Sequence, residues 1–233
     1  MAISLEKKLE KGERFNLEKN TGDKLTNFCV GVNWGAIEYQ AQEASGFLGF
    51  GKKTVTKTID VDLDLSCVLI DANKNVCDHI YSPLYKPEIL QKFGLPKGKL
   101  DTSDRALHHS GDDLEGDKGG DDGLDNEIIT VDLNRLNSNV EQIFFFLNNV
   151  GKEDFAQIPY AKIRIYEGTP SKVGTVFASY NVSAESQYVG KRALIMGKLY
   201  KKNNEWKFNA IGDAYDDQFL GQTIQRIVQS YLK

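Results

Sequence analysis

The sequence predicts a mainly β fold, a two-sheet β-sandwich with a few short helices and an amphipathic helix at the C-terminus. Many short segments alternate apolar with polar residues or are rich in β-branched and aromatic residues, and turns with Gly, Asn or Asp separate them. These segments do not alternate with helical stretches, which argues against a parallel βαβ sheet. The 233 residues can bury a core without a visible domain boundary, so we expect a single domain over 1–233.

The N-terminal half contains the first predicted strands. Residues 13–20 and 26–34 have β-like composition, whereas 41–53 are interrupted by Gly and predict a loop. A further strand is predicted from 59 to 65, and the apolar run 67–70 continues it into the interior.

Segment 83–104 interrupts this pattern as an insertion. Pro87 begins a short predicted helix that ends before Gly94. The strands return after the insertion, and the tail 216–233 then places its apolar residues on one face of a helix. The later strands are predicted at 128–133, 140–148, 161–167, 175–182, 193–200 and from 206 onward.

The main functional signal is the stretch 109–127, HSGDDLEGDKGGDDGLDNE. It has eight carboxylates against one lysine, a formal charge of −7, while the whole chain carries −4. Such repulsion is tolerable if the loop stays solvated or if a cation gathers the oxygens. Clustered carboxylates and carbonyls without a local Cys cluster suit a hard cation, Ca²⁺ before Mg²⁺. Composition alone leaves both interpretations open.

A second acidic element favours the cation. Asp60, Asp62 and Asp64 share one face of the predicted strand. The apolar residues that alternate with them are predicted to face the core: Ile59, Val61, Leu63 and Leu65. A solvated strand face usually mixes charges of both signs, but a solvated row remains the alternative here too. If the strand and the acidic loop meet at one end of the sandwich, their carboxylates can form one site.

Composition limits the other classes of function. No apolar run is long enough to span a bilayer, and no basic stripe with interleaved aromatics suggests nucleic acid. The first residues lack the apolar region of a secretory signal, and three cysteines are an odd number without metal-ligand spacing. We therefore expect a cytoplasmic protein with no nucleic-acid partner.

Several separated motifs, in order, make the chain resemble the TerD family of bacterial tellurium-resistance and stress-response proteins. They are VDLDLSCVLID (61–71), HSGDDLEGD (109–117), DNEIITVDL (125–133), FAQIPYAKIRIYE (155–167) and ALIMGKLYKKNNEWKFNAIGDAY (193–215). The resemblance extends from about residue 3 to 215, which places the C-terminal helix beyond the usual end of the family.

The resemblance implies a calcium-binding β-sandwich that works with other proteins of the same resistance system. The family's ligand motifs fall on Asp62, Asp64, Asp112, Asp113, Asp125 and Glu127. Two departures, Asn126 in place of a carboxylate and a longer loop, leave Asp121 and Asp122 as alternative ligands. The number of carboxylates makes two Ca²⁺ ions plausible, since each takes about 6–8 oxygens.

Three functions follow from these expectations. The leading one is a non-enzymatic Ca²⁺-binding protein whose ions order the acidic loop and so control partner interactions. The second is a Ca²⁺-dependent adaptor for membranes or phosphate, with peripheral membrane association. The third is a metal-dependent phosphoester hydrolase with His109 as the base, but no nucleophile–base arrangement supports it, and we expect no enzyme activity.

Overall fold

A computed structural model describes residues 7–8, 12–18, 22–45, 51–183 and 186–232. Over these residues the chain forms fourteen strands and two α-helices. The strands are β1 (Lys7–Lys8), β2 (Arg14–Asn16), β3 (Asn27–Trp34), β4 (Ile37–Ser45), β5 (Gly51–Ile59), β6 (Leu63–Asp71), β7 (Val76–Ile80), β8 (Leu107–His109), β9 (Glu127–Asp132), β10 (Val140–Asn149), β11 (Ala161–Thr169), β12 (Lys172–Asn181), β13 (Ala193–Lys202) and β14 (Glu205–Tyr215). The helices are α1 (Pro87–Lys92) and α2 (Leu220–Arg226), and α2 continues as a π-helical turn over Ile227–Tyr231.

The strands form two six-stranded sheets and a separate two-stranded ribbon. The first sheet has the order β1-β12-β11-β3-β9-β8, the second has the order β2-β14-β13-β10-β6-β7, and β4 pairs with β5. All pairings are antiparallel except that of β1 with β12. The predicted mainly β sandwich is therefore confirmed.

The main core lies between the two sheets. Strand β6 sends Leu63 and Leu65 inward, where they join Val30 of β3 and Ile163 of β11 in one apolar cluster. Because side chains alternate along a strand, Asp64 lies on the opposite, outer face of the second sheet. This alternation, predicted from the sequence, sets the position of the candidate site.

The outer face of the second sheet is covered by the C-terminal helix. Phe144 and Phe146 of β10 pack there with Leu220, Ile224 and Ile227. Both faces of β10 are therefore buried, which explains its nearly continuous apolar run. The predicted helix docks on the sheet as expected, but it begins at Leu220, four residues later than predicted.

Other predictions needed correction. Residues 41–53 were predicted as a loop, but β4 ends and β5 begins within this range, and the two strands pair as an exposed ribbon. Residues 46–50 lie outside the described part of the chain. The predicted strand 59–65 is interrupted, since Asp60–Asp62 link β5 to β6. Short strands β7 and β8 were missed because neither has a clear two-residue alternation.

Helix α1 lies within the predicted insertion and confirms the expected short helix beginning at Pro87. None of the helices in the described ranges is long and apolar enough to cross a membrane.

Candidate metal centre

The linker Asp60–Asp62 is joined to the acidic loop by a backbone hydrogen bond and to Trp34 of β3 by a side-chain one. The Val61 amide donates to the Glu115 carbonyl at 3.0 Å, and the Trp34 indole N–H donates to the Val61 carbonyl at 2.7 Å. Gly116 packs so closely on the Trp34 ring that a Cβ atom would lie 2.6 Å from it, and its φ of +74° also favours glycine. The two acidic elements therefore meet at one end of the sandwich.

Three carboxylates form a buried group that we call the inner cluster. Asp64 of β6, Asp112 of the loop and Glu127 of β9 each place one oxygen within 4.8 Å of the others. Asp64 is 4% exposed and Glu127 is fully buried. Because β6 and β9 belong to different sheets, the inner cluster joins the two halves of the sandwich.

Backbone amides hold Glu127 in place. Its Oε2 accepts from the Leu65 amide at 2.7 Å and its Oε1 accepts from the Asp113 amide at 3.1 Å. His109 Nδ1 accepts from the Gly111 amide, which leaves the proton on Nε2, 3.4 Å from Glu127 Oε2. His109 Nε2 therefore faces Glu127, but it is buried without a hydrogen-bond partner among the described residues.

The inner cluster carries uncompensated negative charge. Burial, together with the charges of Glu127 and Asp112, raises the pKa of Asp62 to about 6. Burial also raises the pKa of Asp64 well above its usual value, and it raises the pKa of Glu127, with His109 opposing the shift. In the described chain no Lys or Arg forms an ion pair with Asp62, Asp64 or Asp112.

Some carboxylate oxygens at this centre accept hydrogen bonds from the protein, and others have no hydrogen-bond partner among the described residues. Asp112 Oδ2 accepts from the Ser82 hydroxyl. Asp112 Oδ1 and Asp62 Oδ1 are buried with no hydrogen-bond partner among the described residues. Buried oxygens of this kind suit a bound cation, because an unsatisfied buried acceptor is costly.

A second group, the outer cluster, lies further along the loop. Oxygens of Asp117, Asp121 and Asp122 also lie within 4.8 Å of one another, but Asp121 and Asp122 are exposed. Lys162 pairs with Asp121 and lowers its pKa. The outer cluster thus has protein counter-charge that the inner cluster lacks.

Asp117 is also extensively hydrogen-bonded. It accepts from Asn33 Nδ2 and Asn126 Nδ2, each at 3.0 Å, and from the Tyr160 hydroxyl at 2.9 Å. Burial and this contact raise the pKa of Tyr160.

Besides Asp62, which lines the cavity beside the inner cluster, two predicted ligands lie in neither cluster. Asp113 accepts from the Glu115 and Gly116 amides at 2.9 Å, a role in shaping the loop. Asp125 is buried and pairs with Arg164 Nε at 2.8 Å. Burial raises the pKa of Asp125 to about 6, although Arg164 opposes the shift.

Sequence reasoning passed over Asp117, Ser82 and Asn148 and treated Asn126 only as a lost carboxylate. Asn126 Oδ1 accepts from the Trp34 amide at 2.8 Å, and its Nδ2 donates to Asp113 at 3.2 Å as well as to Asp117. A carboxylate could not donate these bonds. The nearby Trp34 and Asp113 could have suggested a scaffold role, but the pairing depends on the folded loop.

Above the inner cluster is a cavity of about 450 Å³. Asp62, Asp64 and Asp112 line it, together with parts of the insertion and residues at the start of α2. The carboxylates are therefore reachable from outside the protein.

Comparison with known proteins agrees with the predicted sandwich. A sequence model of the TerD domain matches residues 1–231. The chain belongs to the TerD domain family. The match includes α2, so the expectation that the helix lies beyond the family's usual end was wrong.

The relatives of this TerD-domain chain include resistance and stress proteins. It is 29% identical over 232 residues to stress response protein SCP2 of Bacillus subtilis (strain 168), covering 98% of this chain and all of that protein. It is 27% identical over 227 residues to tellurium resistance protein TerZ of Serratia marcescens, covering 97% of this chain and 98% of that protein.

A solved structure supports the fold alone. A homologue of the telluride resistance protein TerD from Streptomyces coelicolor A3(2) aligns with a TM-score of 0.53 at 12% identity. The alignment covers 82% of this chain and 91% of that one.

Proposed function

We propose that this TerD-domain protein is a non-enzymatic Ca²⁺-binding protein of a tellurium-resistance or stress-response system. The observation that carries the proposal is the inner cluster, which groups carboxylates from both sheets with His109 nearby but no Lys or Arg paired to them among the described residues. Resistance and stress proteins among its relatives support the physiological setting.

The residues present fit a hard divalent ion. Asp64, Asp112 and Glu127 would each supply an oxygen, and Asp62 is near enough to Asp112 and Glu127 for their charges to raise its pKa. Calcium takes about 6–8 oxygens, so carbonyls or water would complete the set. The Leu65 and Asp113 amides fix Glu127, which preorganises one ligand before binding.

A second ion would use the outer cluster. Asp117, Asp121 and Asp122 supply the oxygens there, but Lys162 must release Asp121 or share it. We therefore assign the tighter site to the inner cluster and the weaker one to the outer cluster. Asp113 and Asp125 act in loop shape and in the contact with Arg164 in this assignment.

Binding would order the acidic loop and through it control partner interactions. A divalent cation supplies positive charge that reduces repulsion among Asp62 and the three carboxylates of the inner cluster. The loop packs on Trp34 and is hydrogen-bonded to the linker before β6, so its order is coupled to both sheets. We propose other proteins of the same resistance system as the partners, and the cytoplasm as the compartment, where the three unpaired cysteines would stay reduced.

Calorimetric titration of chelator-treated protein with Ca²⁺, and separately with Mg²⁺, tests the proposal. We expect saturable Ca²⁺ binding and weaker Mg²⁺ binding, because the irregular oxygen set suits the larger ion. Asp112→Ala should remove the tight step, whereas the matched outer variant Asp122→Ala should retain it. The absence of saturable Ca²⁺ binding in the unmodified protein would refute the proposal.

A membrane or phosphate adaptor is the second candidate. Exposed Leu84, Leu114 and Phe219 lie around the cavity next to the inner cluster, where an ion could bring them to a lipid surface. Sedimentation with anionic liposomes, with Ca²⁺ or with chelator, distinguishes this role. Calcium binding without calcium-dependent sedimentation would leave the leading proposal in place and remove the adaptor.

A further inference from the structure

The cavity above the inner cluster has a polar floor and an apolar mouth. Its volume of about 450 Å³ is within the range typical of sites for small organic molecules. The carboxylates of the floor come from the β5–β6 linker, from β6 and from the acidic loop, and the start of α2 forms part of the opposite wall.

The floor offers three hydrogen-bond acceptors that the described residues leave unpaired, beside one unpaired donor, the buried Tyr85 hydroxyl. Asp62 Oδ1, Asp112 Oδ1 and Asn148 Oδ1 are buried and have no hydrogen-bond partner among the described residues. Only groups that donate hydrogen bonds or carry positive charge can satisfy three such oxygens.

The unpaired oxygen of Asn148 indicates a ligand independently of the carboxylates. It is 3% exposed, lines the cavity and lies opposite Asp64 in the β6–β10 pairing, so the two side chains share one face of the sheet. Its Nδ2 donates to the Thr223 hydroxyl of α2 at 2.9 Å, which fixes the amide and leaves Oδ1 free.

The mouth of the cavity is apolar. Leu84, Leu114, Val150 and Phe219 line it, and each is more than 40% exposed. Large apolar side chains that are exposed together mark a surface for binding rather than a random distribution.

Charge selects the head group of a ligand. Asp62, Asp64 and Asp112 make the floor negative, and Lys86, an exposed residue without an ion pair in the described chain, is the basic side chain on the wall. A single divalent ion would not neutralise these three carboxylates together with Glu127. The cavity therefore favours a cation over an anion, with or without a bound metal ion.

We propose that this cavity binds a small amphipathic amine. The ammonium group donates to the free oxygens of Asp62, Asp112 and Asn148, and the apolar body lies against the side chains at the mouth. Such a ligand matches both parts of the cavity, whereas a metal ion alone uses only the floor. Calcium lowers the negative charge of the floor, so it should weaken amine binding without being required for it.

Three ligands with the same aromatic body test the head group. Calorimetric titration of the full chain in chelator compares 2-phenylethylammonium, 2-phenylethanol and 3-phenylpropanoate. We expect one saturable site for the ammonium and at least about tenfold weaker binding of the other two, since only the ammonium can donate charged hydrogen bonds to the buried oxygens. Saturating Ca²⁺ should weaken the binding of 2-phenylethylammonium severalfold.

Variants at the rim test the position. Phe219→Ala should weaken ammonium binding severalfold, while Val189→Ala, at an exposed apolar residue that does not line the cavity, should leave it unchanged. Lys86→Gln should tighten it, because a repelling charge is removed. Asn148→Asp should also tighten it by adding a negative acceptor, and circular dichroism would check that each variant is folded.

Three results would overturn the proposal. The first is binding of 3-phenylpropanoate that equals or exceeds that of the ammonium, and the second is the absence of saturable ammonium binding. The third is ammonium binding that neither Phe219→Ala nor Lys86→Gln changes. Calcium titrations of Phe219→Ala separate this proposal from the calcium site, since that variant keeps every inner carboxylate. Retained Ca²⁺ binding with no amine binding in the unmodified chain would refute only the amine site.

Discussion

The inner and outer clusters have the same chemical groups in different surroundings. Each brings three carboxylates within 4.8 Å. The inner cluster is largely buried and has His109 but no Lys or Arg beside it among the described residues, whereas the outer cluster is largely exposed and has Lys162 beside Asp121. Burial and missing counter-charge, rather than the number of acidic residues, therefore distinguish a strong candidate ion site from a solvated acidic surface.

The largest expected effect is a difference in the loss of Ca²⁺ affinity between variants of the inner cluster and variants of the outer cluster. Asp64→Asn should lower Ca²⁺ affinity by about a hundredfold, equivalent to about 2.7 kcal/mol, because it removes a buried charged ligand. The matched change Asp121→Asn should lower the affinity of the tight site by less than about threefold, since exposed charges are screened. Calorimetry on both variants measures the difference, and equal losses would remove the distinction between the clusters.

Thermal unfolding should show the second largest effect. At a Ca²⁺ concentration of about 100 times Kd, binding adds about 2.7 kcal/mol of stability, or about 5–10 °C for a domain of this size. In chelator, Asp64→Asn should unfold at a higher temperature than the unmodified chain, because one repelling buried charge is gone. Calcium should then stabilise this variant little. A calcium shift of full size in Asp64→Asn would contradict the assignment.

The sequence predicted those features of the structure that depend on a local pattern of residues. Alternation in VDLDL placed Leu63 and Leu65 in the core and Asp64 on the other face, as the structure shows. The same alternation extended the strand too far, because the linker at Asp60–Asp62 bends away to meet the acidic loop. Faces of strands are local properties, whereas bends of this kind depend on tertiary hydrogen bonds.

For a similar reason, the sequence could not predict which carboxylates lie together in the folded protein. Asp125 and Glu127 are two residues apart, yet Asp125 turns to Arg164 while Glu127 joins Asp64 and Asp112. Asp117 was indistinguishable in composition from its neighbours, and its bonds to Asn33 and Tyr160 come from distant strands and loops. A spacing rule cannot supply such long-range partners.

A smaller effect should appear in the pH dependence of the metal-free protein. Burial raises the pKa of Asp62 to about 6 in the folded chain, above the value of about 3.9 for an unfolded aspartate. The folded state therefore takes up a proton first, and the destabilisation by this charge, present at pH 7.5, disappears as the pH falls through 6 toward 4.

The variant Asp62→Asn isolates this contribution. In chelator, it should unfold at a higher temperature than the unmodified chain at pH 7.5, and the difference should shrink toward zero by about pH 4.5. Thermal scans of the two proteins side by side cancel the titration of other groups, including His79, whose pKa burial lowers. A difference that grows on acidification would contradict the expected direction of this effect.

The smallest effect concerns the outer cluster. Lys162→Met removes the partner of Asp121 and should strengthen the weaker Ca²⁺ step by about two- to fivefold, the scale of an exposed ion pair. Lys118→Met is the control, because this lysine pairs instead with Asp60 and Glu115 outside the outer cluster. Calorimetry should show a change in the weaker step for the first variant only, and equal changes would show a general charge effect.

A crystal structure of the calcium-saturated protein, with the ions located by anomalous scattering, would decide whether the buried carboxylates hold the tight ion. We predict the strongest peak at the inner cluster, about 2.3–2.6 Å from oxygens of Asp64, Asp112 and Glu127. A peak confined to Asp117, Asp121 and Asp122, or no peak beside the buried carboxylates, would contradict this prediction.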